Sequence, residues 1–133
     1  MDRVFLDANI LFSVAYKPTS RLRTLWTLPH VTLLSSSYTV AEAQVNLARA
    51  KPEAVEELDN LLQQVLIVKV PENSVLPPEI TLVEKDRPIL QTAINVKATH
   101  LLTGDRQHFG HLFGARIERV LILPPAEYLK KVE

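Results

Sequence analysis

The chain has no cysteine, three glycines, aromatic residues at 6% and no excess of either charge, with 15 basic side chains against 15 acidic ones in 133 residues. Without cysteine, a disulfide scaffold and a thiolate metal site are both excluded. The balanced charge argues against a basic coat that binds nucleic acid indiscriminately, and leaves a local groove open. Long apolar runs are missing too. The longest stretch free of formal charge, 24–41, holds Pro29, His30 and the serines at 35, 36 and 37, too polar to span a bilayer. Val4-Phe5-Leu6 is followed by Asp7, where a signal peptide would continue apolar, so a cytoplasmic protein is expected. No repeat or low-complexity tract interrupts the chain. What remains, 47% hydrophobic and 23% charged, has the composition of a soluble globule, and its length favours a single domain over 1–133.

Short β-like runs alternate with helical patterns, which points to an α/β fold around a parallel sheet. The first strand is expected over 4–6 and a short helix over 9–15, with Asn9 as a possible cap. Thr19 or Ser20 can cap a helix to about Leu28. A second strand spans 31–35, and Ser36 and Ser37 are cap candidates for the helix that carries Val40, Ala41, Val45, Leu47 and Ala48. Lys51-Pro52 restarts the helix, whose apolar spacing runs through Val55, Leu58, Leu61, Leu62 and Val65 to about Gln64. Strand three is placed over 66–70 and a loop over 71–78. Asp86-Arg87-Pro88 opens a helix with Ile89, Leu90, Ala93 and Ile94 on one stripe, strand four covers 100–103, and strand five covers 119–123 before Pro124-Pro125 starts a last helix. The expected architecture is a three-layer α/β/α sandwich with a central, mostly parallel five-stranded sheet.

Four carboxylates have informative positions on this scaffold. Asp7 lies just past strand one, Asp105 just past strand four, and Asp86 at the start of the helix that feeds strand four. In βαβ units, strand C-termini and helix N-termini share one edge of the sheet, where ligands bind. Glu42, about a turn and a half into its helix, can lean toward the same edge. Each has an ordinary explanation when taken alone: Asp86 as an N-cap, Asp105 as a turn residue after Gly104, Glu42 as a solvated surface acid. Asp7 resists one, because a carboxylate beside a core strand is costly unless paired or metal-bound. Together, four acids at one edge cannot all stay ionised in a dry site without a cation. Oxygen ligands suit Mg²⁺ or Mn²⁺ rather than Zn²⁺, and such an ion activates water and neutralises phosphate charge.

The segments Phe5-Leu6-Asp7-Ala8-Asn9-Ile10-Leu11, Glu42, Asp86-Arg87-Pro88-Ile89-Leu90 with Ala93, Leu101-Leu102-Thr103-Gly104-Asp105, and the tail from Arg119 to Leu129 occur in an order and spacing that carry a resemblance. The sequence resembles the PIN-domain nucleases, which include the VapC-like toxins of type II toxin–antitoxin pairs. The resemblance implies a metal-dependent endoribonuclease that cleaves phosphodiester bonds of single-stranded RNA. It maps the catalytic and metal-holding acids onto Asp7, Glu42, Asp86 and Asp105, with Mg²⁺ or Mn²⁺ as cofactor. The supporting polar positions fall on Asn9 and Thr103, which orient a carboxylate or a bound water. An inhibitory antitoxin and a homodimer are also implied. The chain departs from the pattern at one point. Many relatives carry a further acid shortly after the last one, whereas Arg106, Gln107 and His108 follow Asp105 here, which leaves the number of metals open.

Arg87, Arg106 and His108 flank the acids and are candidates for contact with the RNA backbone, with Lys17, Arg21 and Arg23 as a basic rim. Trp26, Tyr38 and Phe113 are expected in the core or a subunit interface rather than as base-stacking platforms. Two other functions compete. One is an inactive PIN-like protein that binds RNA or a partner. The other is a receiver-type signalling domain, which needs an Asp after a middle strand and a Lys after a late one, where this chain has Val70-Pro71-Glu72 and Leu123-Pro124. If the four acids form a metal pocket, the neutral total conceals an acidic pit in a mildly basic surround.

Overall fold

The computed structural model describes residues 1–73 and 75–133, so the loop expected over 71–78 is described except for Ser74, which lies outside the described residues. Among the described residues, six strands form one sheet: β1 (Asp2–Leu6), β2 (Val31–Ser36), β3 (Val65–Val68), β4 (His100–Leu102), β5 (Arg116–Ile117) and β6 (Val120–Leu123). Their order is β3-β2-β1-β4-β6-β5, and every pairing is parallel except β5 with β6. Helices α1 (Ala8–Tyr16), α2 (Ser37–Ala50), α3 (Ala54–Leu62), α4 (Arg87–Asn95), α5 (Arg106–Phe109) and α6 (Pro125–Val132) connect the strands, with 3-10 segments at Arg21–Thr27, Glu84–Asp86 and Gly110–Leu112.

The central strands are apolar on both faces because both faces are covered. Val4 and Leu6 point into one core with Ile10 and Leu11 of α1, Ala43 and Leu47 of α2, Leu58 of α3, and Tyr128 and Leu129 of α6. Phe5, Leu34, Leu101 and Ile122 point the other way, against Ile89, Leu90 and Ala93 of α4. This alternation makes three layers, as expected. Each fully buried side chain of this size contributes about 1.5–3 kcal/mol of transfer free energy. Among the described residues, no helix is long and apolar enough to cross a membrane.

The sheet differs from expectation in having a sixth strand. β5 and β6 form a hairpin whose turn is Glu118-Arg119, with φ of 48° and 77°. Both positive values match a type I′ turn, which Asn-Gly normally supplies. Arg119 is therefore a turn residue, and β6 begins at Val120. β3 begins at Val65, which had fitted the preceding helix by spacing; α3 stops at Leu62, and Val65 pairs with Leu33. The segment capped by Ser20, whose hydroxyl accepts from Leu22 N at 3.2 Å, is a 3-10 helix. Asn9 lies within the first turn of α1, since Asp7 occupies the cap. Ser36 rather than Ser37 caps α2, through a capping box with Thr39.

Candidate metal centre and active site

β1 and β4 are neighbours although β2 and β3 separate them in sequence. The chain runs from β1 outward to one edge of the sheet, then crosses back to β4 on the other side. Loops leaving the carboxyl ends of β1 and β4 diverge at this switch point and open a crevice there. Asp7 is the first residue after β1, and Thr103, Gly104 and Asp105 are the first after β4.

Asp7 N donates to Leu102 O at 3.1 Å, which ties the end of β1 to β4. The residue is only 3% exposed. Its Oδ1 accepts from Ala8 N at 2.7 Å, and its Oδ2 accepts from Thr103 Oγ1 at 2.7 Å and Asn9 Nδ2 at 3.2 Å. Burial outweighs these hydrogen bonds and, with the charges of Glu42 and Asp86 nearby, pushes the Asp7 carboxyl up to about 6. Thr103 is the hub of the network. Its Oγ1 also accepts from Asp105 N at 3.1 Å and from Asn9 Nδ2 at 3.3 Å, while Asn9 Oδ1 accepts from Gly104 N at 2.8 Å. Thr103→Val keeps the shape and deletes the hydroxyl. It should cost about 1–3 kcal/mol, since buried partners lose hydrogen bonds, and raise the Asp7 pKa further. Urea unfolding and an NMR titration of Asp7 measure the two effects; an unmoved Asp7 titration would show that the hydroxyl does not hold the carboxylate.

Asp86 and Asp105 meet on the other side of the crevice, through His108. Asp86 ends the 3-10 turn before α4 and precedes Pro88, but its side chain makes no capping hydrogen bond among the described residues. Asp105 does cap: its Oδ1 accepts from His108 N at 3.0 Å and thereby starts α5. That turn aims the imidazole inward. His108 Nδ1 lies 2.9 Å from Asp105 Oδ2 and 3.0 Å from Asp86 Oδ2. The hydrogen bond of this nitrogen is with Asp105. Among the described residues, Asp86 Oδ2, in a residue 5% exposed, is buried without a hydrogen bond. Burial raises the Asp86 carboxyl above the usual range; Lys85 and His108 oppose the rise and Asp105 adds to it. One donor atom from each of Asp86, Asp105 and His108 lies within 4.8 Å of the others. Asp7 and Glu42 lie outside that triplet. Glu42 is exposed on α2, and its negative charge acts on Asp7.

A buried carboxylate oxygen with no donor, beside a second carboxylate and an imidazole, is a donor set that a divalent cation fits. The sequence profile of the PIN domain matches residues 3–107, which takes in all four acids and ends one residue before His108. The chain belongs to the PIN-domain family. Three solved structures share its fold. The crystal structure of VapBC2 from Rickettsia felis, bound to a DNA fragment from their promoter, contains a chain 23% identical, with a TM-score of 0.69, covering 92% of this chain and 98% of that one. VapC20 from Mycobacterium tuberculosis, described as a Sarcin-Ricin loop cleaving toxin, is 13% identical with a TM-score of 0.59, covering 77% and 91%. VapBC-1 from nontypeable Haemophilus influenzae is 16% identical with a TM-score of 0.59, covering 93% and 98%. No curated protein matches in sequence.

In this PIN domain the crevice continues along α1. A cavity of about 440 Å³ lies between Asn9, Leu22, Asp105 and Pro125. Another of about 400 Å³, sharing Asn9 and Ser13 with it, is lined by Phe12, Glu42, Asn46 and Arg49. Arg106 is exposed and Arg87 half-buried beside Asp86. Of the rim candidates, Lys17 is exposed, Arg21 pairs with Glu133 at 3.0 Å, and Arg23 donates to Val14 O at 2.9 Å, a structural engagement. Trp26 and Phe113 pack against the two cores as expected. Tyr38 does not. It is 36% exposed, its hydroxyl donates to Lys85 O, and burial together with the charges of Glu42, Asp86 and Asp7 raises its pKa. Tyr38 thus belongs to the crevice, a placement its i,i+4 spacing from Glu42 on α2 already offered. Asn46 and Arg49, on the same helix, are the other lining residues that spacing from Glu42 could have brought in.

Proposed function

We propose that this PIN domain is a metal-dependent endoribonuclease that cuts single-stranded RNA and acts in the cytoplasm as the toxin of a toxin–antitoxin pair. The observation that carries the catalytic part is the buried, undonated Oδ2 of Asp86 facing Asp105 at the switch-point crevice. Asp7, Asp86 and Asp105 would hold Mg²⁺ or Mn²⁺, with Glu42 completing the site directly or through water. When bound, the ion supplies activation of water and neutralisation of charge on the scissile phosphate. The chain's own residues do the positioning. Thr103 and Asn9 fix the Asp7 carboxylate, the Asp105 cap fixes α5, and the β1–β4 clamp through Leu102 O sets the distance between the two sides. Arg87 and Arg106 would contact RNA phosphates.

An antitoxin partner is supported by two structural neighbours being VapBC proteins. The crevice along α1 offers room for a segment that blocks the site. A homodimer is part of the same reading. The catalytic claim is tested with a mixed RNA pool. Purified protein should degrade it with Mg²⁺ or Mn²⁺ present, and EDTA should stop degradation until metal is restored. Cleavage that continues in EDTA, or no cleavage under any metal, sinks the reading.

A further inference from the structure

We propose that His108 is itself a metal ligand, and that the Asp86–Asp105–His108 set makes this site favour Mn²⁺ over Mg²⁺. The proposal rests on the metal-dependent reading above and deepens it by naming a nitrogen donor among the oxygens. From the sequence, His108 is a candidate for contact with the RNA backbone. The fold turns it the other way. The Asp105 cap starts α5 so that Nδ1 points into the space between two carboxylates rather than toward solvent.

The spacing of the donors suits one ion. Nδ1 stands 3.0 Å from Asp86 Oδ2 and 2.9 Å from Asp105 Oδ2. An octahedral cation with bonds near 2.1 Å keeps adjacent ligand atoms about 3.0 Å apart. The second observation is independent of the cluster's composition: Asp86 is 5% exposed, and its Oδ2 has no hydrogen bond, so a buried acceptor is left without the donor such a group requires. In the metal-free chain Nδ1 is hydrogen-bonded to Asp105. A cation between the three atoms would serve both carboxylates and the nitrogen lone pair together.

Donor type then decides the metal. Mg²⁺ is hard, holds its waters and favours all-oxygen sites, whereas imidazole nitrogen suits first-row transition metals and carboxylates suit Mn²⁺ among them. An imidazole placed among the carboxylates therefore discriminates against Mg²⁺.

The test reads the bound ion directly. Electron-spin-echo spectra of Mn²⁺ bound to the full chain should show coupling to an imidazole nitrogen, and His108→Asn should remove it. Competition titrations, followed by the free Mn²⁺ resonance, should give the wild-type chain at least about tenfold tighter binding of Mn²⁺ than of Mg²⁺. His108→Asn should weaken Mn²⁺ about ten- to a hundredfold while moving Mg²⁺ by less than about threefold. His108→Asp, which restores an oxygen donor, should bring the two affinities together. Absence of nitrogen coupling in the wild type overturns the proposal, as does an equal weakening of both metals by His108→Asn. Failure to bind any divalent ion overturns it together with the metal-dependent reading. Nitrogen-coupled Mn²⁺ in a protein that leaves RNA intact would uphold the ligand and reject the nuclease.

Discussion

Asp7→Asn should abolish RNA cleavage and at the same time make the metal-free protein more stable at neutral pH. The activity loss should be roughly a hundred- to a thousandfold, the scale of removing one preorganised charge from a reacting centre. The stability gain follows from linkage. The Asp7 carboxyl sits at about 6 in the folded chain, against 3.8 as a model value. Below pH 3.8 it is protonated in both states and contributes nothing. As pH rises from there to about 6, the unfolded chain gives up the proton while the folded chain keeps it, and stability falls. Above that window both states are ionised and the folded state carries a penalty of about 3 kcal/mol, at 1.36 kcal/mol per unit. Asn removes the charge. Its Oδ1 still accepts from Ala8 N, and the Thr103 hydroxyl can rotate to accept from its amide, but Asn9 Nδ2 loses an acceptor. A net gain of about 1–2 kcal/mol at pH 7 is expected, turning into a loss of about 1 kcal/mol near pH 4, where most of the burial penalty is gone and the lost hydrogen bond remains. Urea unfolding of both proteins across that range checks it. Curves that stay parallel at all pH values would mean that the Asp7 charge is not strained by burial. Asp86, raised by the same cause, contributes the same sign of slope to both proteins.

This antagonism between stability and site explains why Asp7 was the acid most legible in the sequence. An acid at the end of an apolar strand shows no ordinary reason in the sequence, although the fold also uses it to cap α1. Asp86 and Asp105 were legible only through topology. Each has a plausible local role, and Asp105 performs its local role as a cap. What could not be read was direction. His108 is three residues past Asp105, and only the inward turn of α5 reveals what it faces. Tyr38 reads as an aromatic for the core until α2 is rotated so that the Tyr38–Glu42 face looks over the carboxyl edge. The elements that escaped were those defined by backbone conformation without its usual residues. The hairpin turn at Glu118-Arg119 takes positive φ at two positions with neither Asn nor Gly. Val65 has helical spacing from Leu61 and Leu62, yet the chain turns at Gln63 and spends Val65 on the sheet. The two-sided burial of the central strands, by contrast, was legible in the runs Val4-Phe5-Leu6 and Leu101-Leu102, which are apolar on both faces.

Phe5→Ala tests that two-sided packing and should have the largest effect on stability of any single truncation in the central sheet. Phe5 is fully buried in the strand that lies between β2 and β4, and it packs on the α4 side with Leu34, Leu90, Leu101 and Ile122. Neighbours held by the sheet on one side and a helix on the other collapse poorly into the space left behind, so the loss should be about 3–5 kcal/mol. That is a large part of the total for a domain of this size, about 5–15 kcal/mol. The control is Leu66→Ala on the edge strand β3, where the side chain is 52% exposed and the change should stay within about 0.5 kcal/mol. Urea denaturation of the two variants separates burial from hydrophobicity, since both remove an apolar side chain from a strand. The same cavity lies beneath α4, the helix that follows Asp86, and two residues before Asp7 on β1. Loosening it should therefore weaken divalent-ion binding in the fraction that remains folded, measurable by titration at low temperature. A destabilised Phe5→Ala that binds metal as tightly as the parent would show that the site is held by its own hydrogen bonds and not by the core beneath it.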